Sequence, residues 1–576
     1  DASLPPAHVL RILEQARLRR PTPMVFLAAS DASLPATLET IRRGAFLASA
    51  ETRTGPAGID RRSPYRMRLD EVERSHILQV LSLCRGNKRR TAELLGINRS
   101  TLYAKLRRFG LRTAAAGMAL ALAASALAAL LLSGWSPARA STEPEAKLAP
   151  AVQRAVSGLI DGGQPDAEVR LIVQTWMSPG SAEREDVTGN GGEVLRTFSV
   201  VHGMAATVPA RGVIEIARSP RVRRLSLDAP VTASVDSSRI GPVAARALAS
   251  AGGAGHGVTV AVLDSGVSPS VDLREVFEID MVEEDGTAAD YFGHGTAMAG
   301  IIAGTGEASL CRGCWRTFRG MAPAAGIVSV KVLDSRGEGT VGSVLAGLDW
   351  VLANHEARGI RVVNLSLGHP VDESCATDPL CRAVEEIWRA GIVVVVSAGN
   401  DGGEGYATIT SPGDSPYVIT VGAAEDWGTP ETSDDIVAPF SSTGPTPFDG
   451  VIKPDLIAPG TGVVTLRSPG SVLDELLSDR WLRTSDFDGD PAADDGESIY
   501  VSLSGTSVAA AAVSGVAALL IAQDPEATPD DVKARLLLSA KKLNDAIVAR
   551  GAGLLDVAGA LQLGATGVAS TSSLSP

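Results

Sequence analysis

The chain is 576 residues long, more than one compact core accommodates, so three or four domains are expected. With 45% hydrophobic and 21% charged residues it has the balance of a globular protein, which excludes a disordered or fibrous chain. The net charge of −13 averages two unlike parts: residues 1–112 hold 21 Lys+Arg against 10 Asp+Glu and the rest 32 against 56, a basic head on an acidic body that excludes one uniform enzyme surface and suggests two compartments or two partners. The chain starts at Asp1 rather than Met, so a segment ahead of it is expected.

Within residues 1–52, MVFLAAS (24–30) reads as a buried strand and TLETIRRGAF (37–46) as the helix before a last strand. This resembles the back half of a response-regulator receiver domain. The acidic pair of a receiver's first strand is absent, its usual Thr aligns with Ala28 and its usual Lys with Glu51. A remnant without those groups cannot hold magnesium or sense a phosphoryl group, and no signalling activity is expected of it.

Residues 63–112 form the next unit. Val72, Ile77, Leu78 and Leu81 recur at helical spacing, Gly86 punctuates, a second helix runs from about Lys88 to Leu95, and Gly96 turns the chain. Asn98 can cap a third helix. The stretch 69–110 resembles the Fis-type helix-turn-helix that ends NtrC-like response regulators. That resemblance implies a major-groove face of Arg99, Ser100, Thr101 and Tyr103, with Lys105, Arg89 and Arg90 near phosphates, and hence DNA as a partner. The bland alternative is a small helical module with a solvated basic face.

Residues 113–140 carry an uncharged run, AAAGMALALAASALAALLL (114–132), behind Arg107, Arg108 and Arg112. As a helix, 19 residues span about 28 Å, close to the hydrocarbon thickness of a bilayer. Ala138-Arg139-Ala140 offers a small-x-small cleavage pattern, so the segment reads as a signal peptide or, uncleaved, as a signal-anchor helix in the membrane. Either way the rest of the chain is exported, secreted, periplasmic or tethered outside, and the basic flank keeps residues 1–112 cytoplasmic. A regulator fused to an exported protein has two explanations: a real membrane-tethered chain, or two neighbouring genes joined by a sequence or gene-model error.

Residues 141–235 start with a Pro/Gly/Ala-containing linker (141–165). From Glu168 the pattern gives a strand (VRLIVQTW), two more (within EVLRTFSVVHGMAATVP), a short helix (VIEIARSP) and a final strand (VRRLSLDAP). This α+β unit resembles the propeptide of subtilisin-like enzymes, which implies a zymogen; an unrelated small α+β domain is the alternative.

From 236 to 563, short β-branched runs alternate with helical stretches, as a doubly wound, mostly parallel α/β sheet requires. The strands are VTVAVLD, GIVSVKVL, RVVNLSL, GIVVVVSAGN and YVITVGA. Ligands of such sheets bind beyond the carboxyl ends of the strands, and four motifs fall there. Asp264 closes the first strand in LDSG. His294 sits in FGHGTAMAGIIAG between Gly293 and Gly295. Asn400 ends VVVVSAGN. Ser507 opens an Ala-rich helix in SLSGTSVAAAAVSGVAALL. A hydroxyl needs a base to become a nucleophile, the base needs a carboxylate to fix its tautomer, and the oxyanion needs donors, here the Asn400 amide and the Ser507 N–H. The set, in the order Asp, His, Ser, resembles subtilisin-like serine proteases over roughly 240–563, together with RGMAPAA (319–325), NLSLG (364–368) and KPDLIAPG (453–460). The resemblance implies an endopeptidase acting through an acyl-enzyme, with no cofactor required. It implies a cleft that takes extended protein or peptide substrates as an added strand and loosely prefers apolar side chains. The cleft walls would be Ser366-Leu367-Gly368 and Ala398-Gly399. Val508 replaces the usual Met and Ala511 the usual Pro, with no catalytic group lost.

Cys311/Cys314 and Cys375/Cys381 suggest two short-loop disulfides, with a four-thiolate zinc site or free thiols as rivals. DFDGDPAADDGE (486–497) invites a structural calcium at Asp486, Asp488 and Asp490, but lacks the glutamate of a full EF-hand loop and reads better as an acidic surface loop. The Ser/Thr-rich tail, 564–576, is expected to be loose. Two other functions compete: a transcription regulator whose exported part senses, and a dead relative that only binds peptides. An intact triad speaks against both.

Overall fold

The computed structural model describes residues 26–28, 46–48, 144–234, 254–282, 287–427, 432, 434–489 and 496–563. Strands β1 (Phe26–Ala28) and β2 (Phe46–Ala48) pair in parallel within a unit of their own, Asp1–Met67. The helix expected ahead of β2, the helix-turn-helix, the apolar run 114–132 and the tail lie outside the described residues.

The stretch expected as a linker is instead partly helical. A 3-10 turn at Pro144–Lys147 precedes helix α1 (Pro150–Asp161), which starts on Pro150 and buries Val152 and Val156 one turn apart. Then come β3 (Glu168–Thr175), α2 (Ser181–Thr188), β4 (Glu193–Phe198), β5 (Gly203–Pro209), α3 (Ala210–Arg218) and β6 (Val222–Leu227). The sheet is antiparallel, in the order β4-β5-β3-β6, a split β-α-β arrangement of ferredoxin-like type. Alternation along β3 and β5 gives it two apolar faces. Leu171, Val173, Met204 and Ala206 join Val152, Val156, Val213 and Ile216 of its own helices. Ile172, Ala205 and Phe198 belong to the core of the larger domain beside it.

That domain is entered through β7 (Pro230–Ala233). Its parallel sheet is built from β8 (Thr259–Asp264), β9 (Val276–Asp280), β10 (Gly326–Lys331), β12 (Ile360–Leu365), β14 (Val393–Ser397) and β15 (Ile419–Glu425), in the order β15-β14-β12-β8-β10-β9. At the far edge β16 (Ile436–Val437) pairs antiparallel and β17 (Leu456–Pro459) parallel with β15. Each strand expected from a β-branched run is in this sheet. Helices α4 (His294–Ala303), α5 (Val341–Arg358), α6 (Pro379–Arg389), α7 (Thr506–Gln523) and α8 (Pro529–Ser539) cover it. Helix α7 is long and apolar enough to cross a membrane, but 89% of it is buried under the sheet: it is the core helix of the domain. It runs on through Ala511, where a proline would have cost a hydrogen bond. Three short strands, β18 (Val463–Leu466), β19 (Trp481–Arg483) and β20 (Glu497–Leu503), form an antiparallel sheet that leads into α7.

Candidate active site

The carboxyl ends of the central strands hold the expected residues. Asp264 is the last residue of β8 and His294 the first of α4, and both are fully buried. The two can come so close because residue 295 is glycine: a Cβ there would collide with the Gly266 carbonyl oxygen and crowd the Asp264 Cβ. His294 Nδ1 lies 2.8 and 2.9 Å from the two Asp264 carboxylate oxygens. A carboxylate only accepts, so Nδ1 carries a proton, and in the neutral ring the lone pair is then on Nε2. His294 Nε2 is buried and has no hydrogen-bond partner among the described residues; the same is true of Ser507 Oγ and Asn400 Nδ2. Ser507 sits in the first turn of α7, with the helix N–H groups about it.

The amide of Asn400 is held by its other atom. Its Oδ1 accepts from the Thr506 N–H at 3.0 Å and the Thr506 hydroxyl at 2.9 Å, which leaves Nδ2 free to donate. Gly399, at φ +102°, lets the loop pass Ser442 and Thr410, where a Cβ would approach both at 2.9 Å.

The residues expected to wall the cleft are placed by strands. Leu367 and Gly368 form β13 (Leu367–Gly368), and Ala398 follows β14. Ser366 is tied to α7 by a buried chain: Ser514 Oγ donates to Asn364 Oδ1 (2.9 Å), Asn364 Nδ2 to Ser366 Oγ (2.9 Å), and Ser366 Oγ to the Ser507 carbonyl (3.2 Å).

Along the wall formed by β13 lies a segment of the same chain. β7 pairs antiparallel with β13, matching Thr232 to Gly368 and Ala233 to Leu367. On its other side it pairs antiparallel with β11 (Glu338–Thr340), which matches Thr232 to Glu338. The next residue, Ser234, donates its N–H to the Ser366 carbonyl at 3.0 Å, and its carbonyl oxygen accepts from the Ser507 N–H at 3.4 Å. Its hydroxyl is 3.0 Å from that of Ser397.

Reading the sequence missed Asp290, which ties the turns that carry Asp264 and His294 together. Its carboxylate accepts from Ser265 Oγ (2.8 Å), the Gly293 N–H (2.6 Å), and both the N–H (2.8 Å) and hydroxyl (2.6 Å) of Thr296. Burial pushes its carboxyl above the ordinary range, and the four donors pull the other way. The signal was an acidic residue four positions ahead of His294, in DYFGHGT.

The cysteine reading is corrected in part. Cys311 and Cys314 are bonded, whereas Cys375 and Cys381 are free, and the Cys381 thiol donates to Asp414 Oδ1 at 3.2 Å. The pairs fall into separate clusters, one with Asp488 and one with Asp414, which rules out a four-thiolate site. Asp486 caps its own turn by accepting from the Arg483 N–H at 2.7 Å, and Asp490 lies outside the described residues. The expected DNA contacts Arg99, Ser100, Thr101, Tyr103, Lys105, Arg89 and Arg90 lie outside them too.

Residues 255–554 match the model of the subtilase family. The chain belongs to the subtilase family. It is similar to serine protease AprX of Bacillus subtilis, 41% identical over 298 residues, which are 50% of this subtilase and 63% of AprX; the chain thus spans under two thirds of the length of AprX. Subtilisin E of Bacillus subtilis is 30% identical over 410 residues, 69% of this chain and 92% of that protein. Among solved structures, fervidolysin from Fervidobacterium pennivorans, a keratinolytic enzyme related to subtilisin, shares the fold with a TM-score of 0.53 at 23% identity, over 69% of this subtilase and 61% of fervidolysin. A second match joins residues 68–109 to the bacterial regulatory proteins of the Fis family.

Proposed function

We propose that this subtilase is an exported serine endopeptidase made as a zymogen, and that its first substrate is its own Ser234–Val235 bond. The observation that carries the reading is the seating of β7: a strand between β13 and β11 that brings the Ser234 carbonyl oxygen to the Ser507 N–H. In the reaction Ser507 Oγ attacks that carbonyl carbon, His294 Nε2 takes the proton and returns it to the leaving amine, and Asp264 holds the imidazole and stabilises its charged form. Asn400 Nδ2 and the Ser507 N–H receive the oxyanion. Water then enters by the same route and frees the acyl group. Asp290 positions both turns without touching substrate. Residues 144–234 act as the prodomain, and export is driven by the run 114–132.

The test is to express the full chain and its Ser507→Ala variant and treat both with a fluorophosphonate probe. The reading expects covalent labelling of the parent alone, and a new amino terminus at Val235 in the parent alone. An unlabelled parent after removal of the prodomain sinks the enzyme reading. The Fis-family match supports a second activity, DNA binding through residues 68–109, which a mobility-shift assay on the full chain checks.

A further inference from the structure

One cluster stands apart from the catalytic centre. Cys375 Sγ, Cys381 Sγ and a carboxylate oxygen of Asp414 all lie within 4.8 Å of one another. Cys381 and Asp414 are each 1% exposed, while Cys375 is half-buried and leaves a way in from solvent. We propose that these three side chains form a binding site for one thiophilic divalent cation of the zinc class.

The donor set is the first argument. Two thiols and a carboxylate suit zinc, which takes sulfur at about 2.3 Å and oxygen at about 2.0–2.2 Å in tetrahedral geometry. Tetrahedral ligands at those lengths stand roughly 3.5–3.8 Å apart, so donors within 4.8 Å need to close by only about 1 Å. A water fills the fourth position, on the side of Cys375.

The second argument is an orphan. Asp414 Oδ1 accepts from Cys381, but Oδ2 is buried without a partner among the described residues. The neighbouring carboxylates are already used by protein donors. Asp378 caps α6 through the N–H groups of Leu380 (2.7 Å) and Cys381 (3.1 Å) and accepts from Ser411 Oγ at 3.0 Å. Asp449 accepts from Ser374 Oγ at 2.6 Å and the Cys375 N–H at 2.8 Å. An unpaired oxygen at such depth costs stability unless something positive meets it.

The third argument is charge. Asp378, Asp414 and Asp449 all bear on this pocket; of the basic groups near it, His369 Nε2 stands 3.9 Å from Asp378, and Lys453 is bonded to Asp455 at 2.6 Å. Burial, together with the carboxylates around it, holds the Cys381 thiol protonated, well above its ordinary range, in the first turn of α6. A divalent cation would displace the thiol protons and balance the surplus of negative groups.

The site would tie the loop 369–378 to α6 and to the turn at Asp414, and this loop also grips the prodomain. Glu373 accepts from Arg224 at 2.7 Å and from Ser226 Oγ at 2.6 Å, and the Thr377 carbonyl accepts from Gln174 at 2.8 Å. The site itself does not depend on protease activity.

The test uses the full chain carrying Ser507→Ala, purified under mild reduction and dialysed against zinc, with cobalt as a spectroscopic substitute. The expected result is one tightly held equivalent of zinc and a thiolate-to-cobalt absorption band, both lost in Cys375→Ser and in Cys381→Ser. In Asp414→Asn, zinc should bind on the order of 10–100-fold more weakly. Added zinc should raise the melting temperature of the parent and leave Cys375→Ser, a half-buried and conservative change, unmoved. Zinc retention that these substitutions leave unaltered would overturn the proposal, as would no retention at all. So would a peptide map in which Cys375 and Cys381 have lost two hydrogens to a disulfide in the purified protein.

Discussion

The domain of residues 144–234, proposed above as the prodomain and called so below, and the peptidase domain solve the same packing problem in opposite ways. The peptidase sheet is parallel and covered by its own helices on both faces, so its strands are continuous apolar runs such as Val393–Val396. The prodomain sheet is antiparallel and has helices enough for one face only; the other, with Ile172, Phe198 and Ala205, is covered by the neighbour. The polar contacts follow the same division. Asp349 on α5 accepts from the Ser199 and Val200 N–H groups at 2.9 and 2.8 Å, and Asp228 accepts from the Gly342 N–H at 2.7 Å at the start of that helix. One domain is complete in itself, and the other is complete only when docked.

The sharpest way to break this picture is at the nucleophile. Ser507→Ala should abolish labelling and leave the prodomain attached, with kcat down by on the order of 10⁶, read on peptide substrate and by gel. Asn400→Ala should keep the fold and cost about 10²–10³ in kcat with little change in KM, the loss seen for the corresponding donor in subtilisin; an unchanged kcat would remove Asn400 from the oxyanion site.

The docking contrast itself is tested at Glu373. Glu373→Ala leaves the Arg224 guanidinium, 15% exposed, without its buried partner. The prodomain should then bind the processed enzyme more weakly by about 2–5 kcal/mol, roughly 30-fold or more in Kd, as read by inhibition titration. The smallest effect belongs to Asp290. Its folded carboxyl titrates above the unfolded value of 3.8, so the stability it contributes is full below that pH and is lost as pH rises through the raised value. Asp290→Asn in the Ser507→Ala background should remove this slope, at most about 1.4 kcal/mol per pH unit, from a series of melting curves.

The peptidase sheet was legible because burial on both faces writes β-branched runs, and the residues proposed as catalytic stood out because each motif stands where a strand ends or a helix starts. The prodomain helices were harder. Helix α2, SAEREDVT, buries only Val187, so no apolar period announces it, and it shows itself mainly through Glu183 closing back on the Gly180 N–H at 2.8 Å. Helix α1 did carry a signal, a proline at its start and Val152/Val156 at i, i+4, but small residues around them resembled a linker. Nothing in PVTAS says that it lies in the cleft, since pairing with residues more than a hundred positions away is a property of the folded surface. Asp290 was hidden for a similar reason: four donors from three separate residues converge on it only after α4 has docked on β8.

The seating of β7 has a kinetic consequence. In the proposed self-cleavage, strand and nucleophile share one chain, so the first cut would be a first-order event whose half-time should not change when the protein is diluted. Once the Ser234–Val235 bond is severed, the same contacts become those of two separate molecules, and their hold falls with every dilution. If the chain is exported as proposed, release of activity is then governed by the volume it enters, as much as by the chemistry that made the cut.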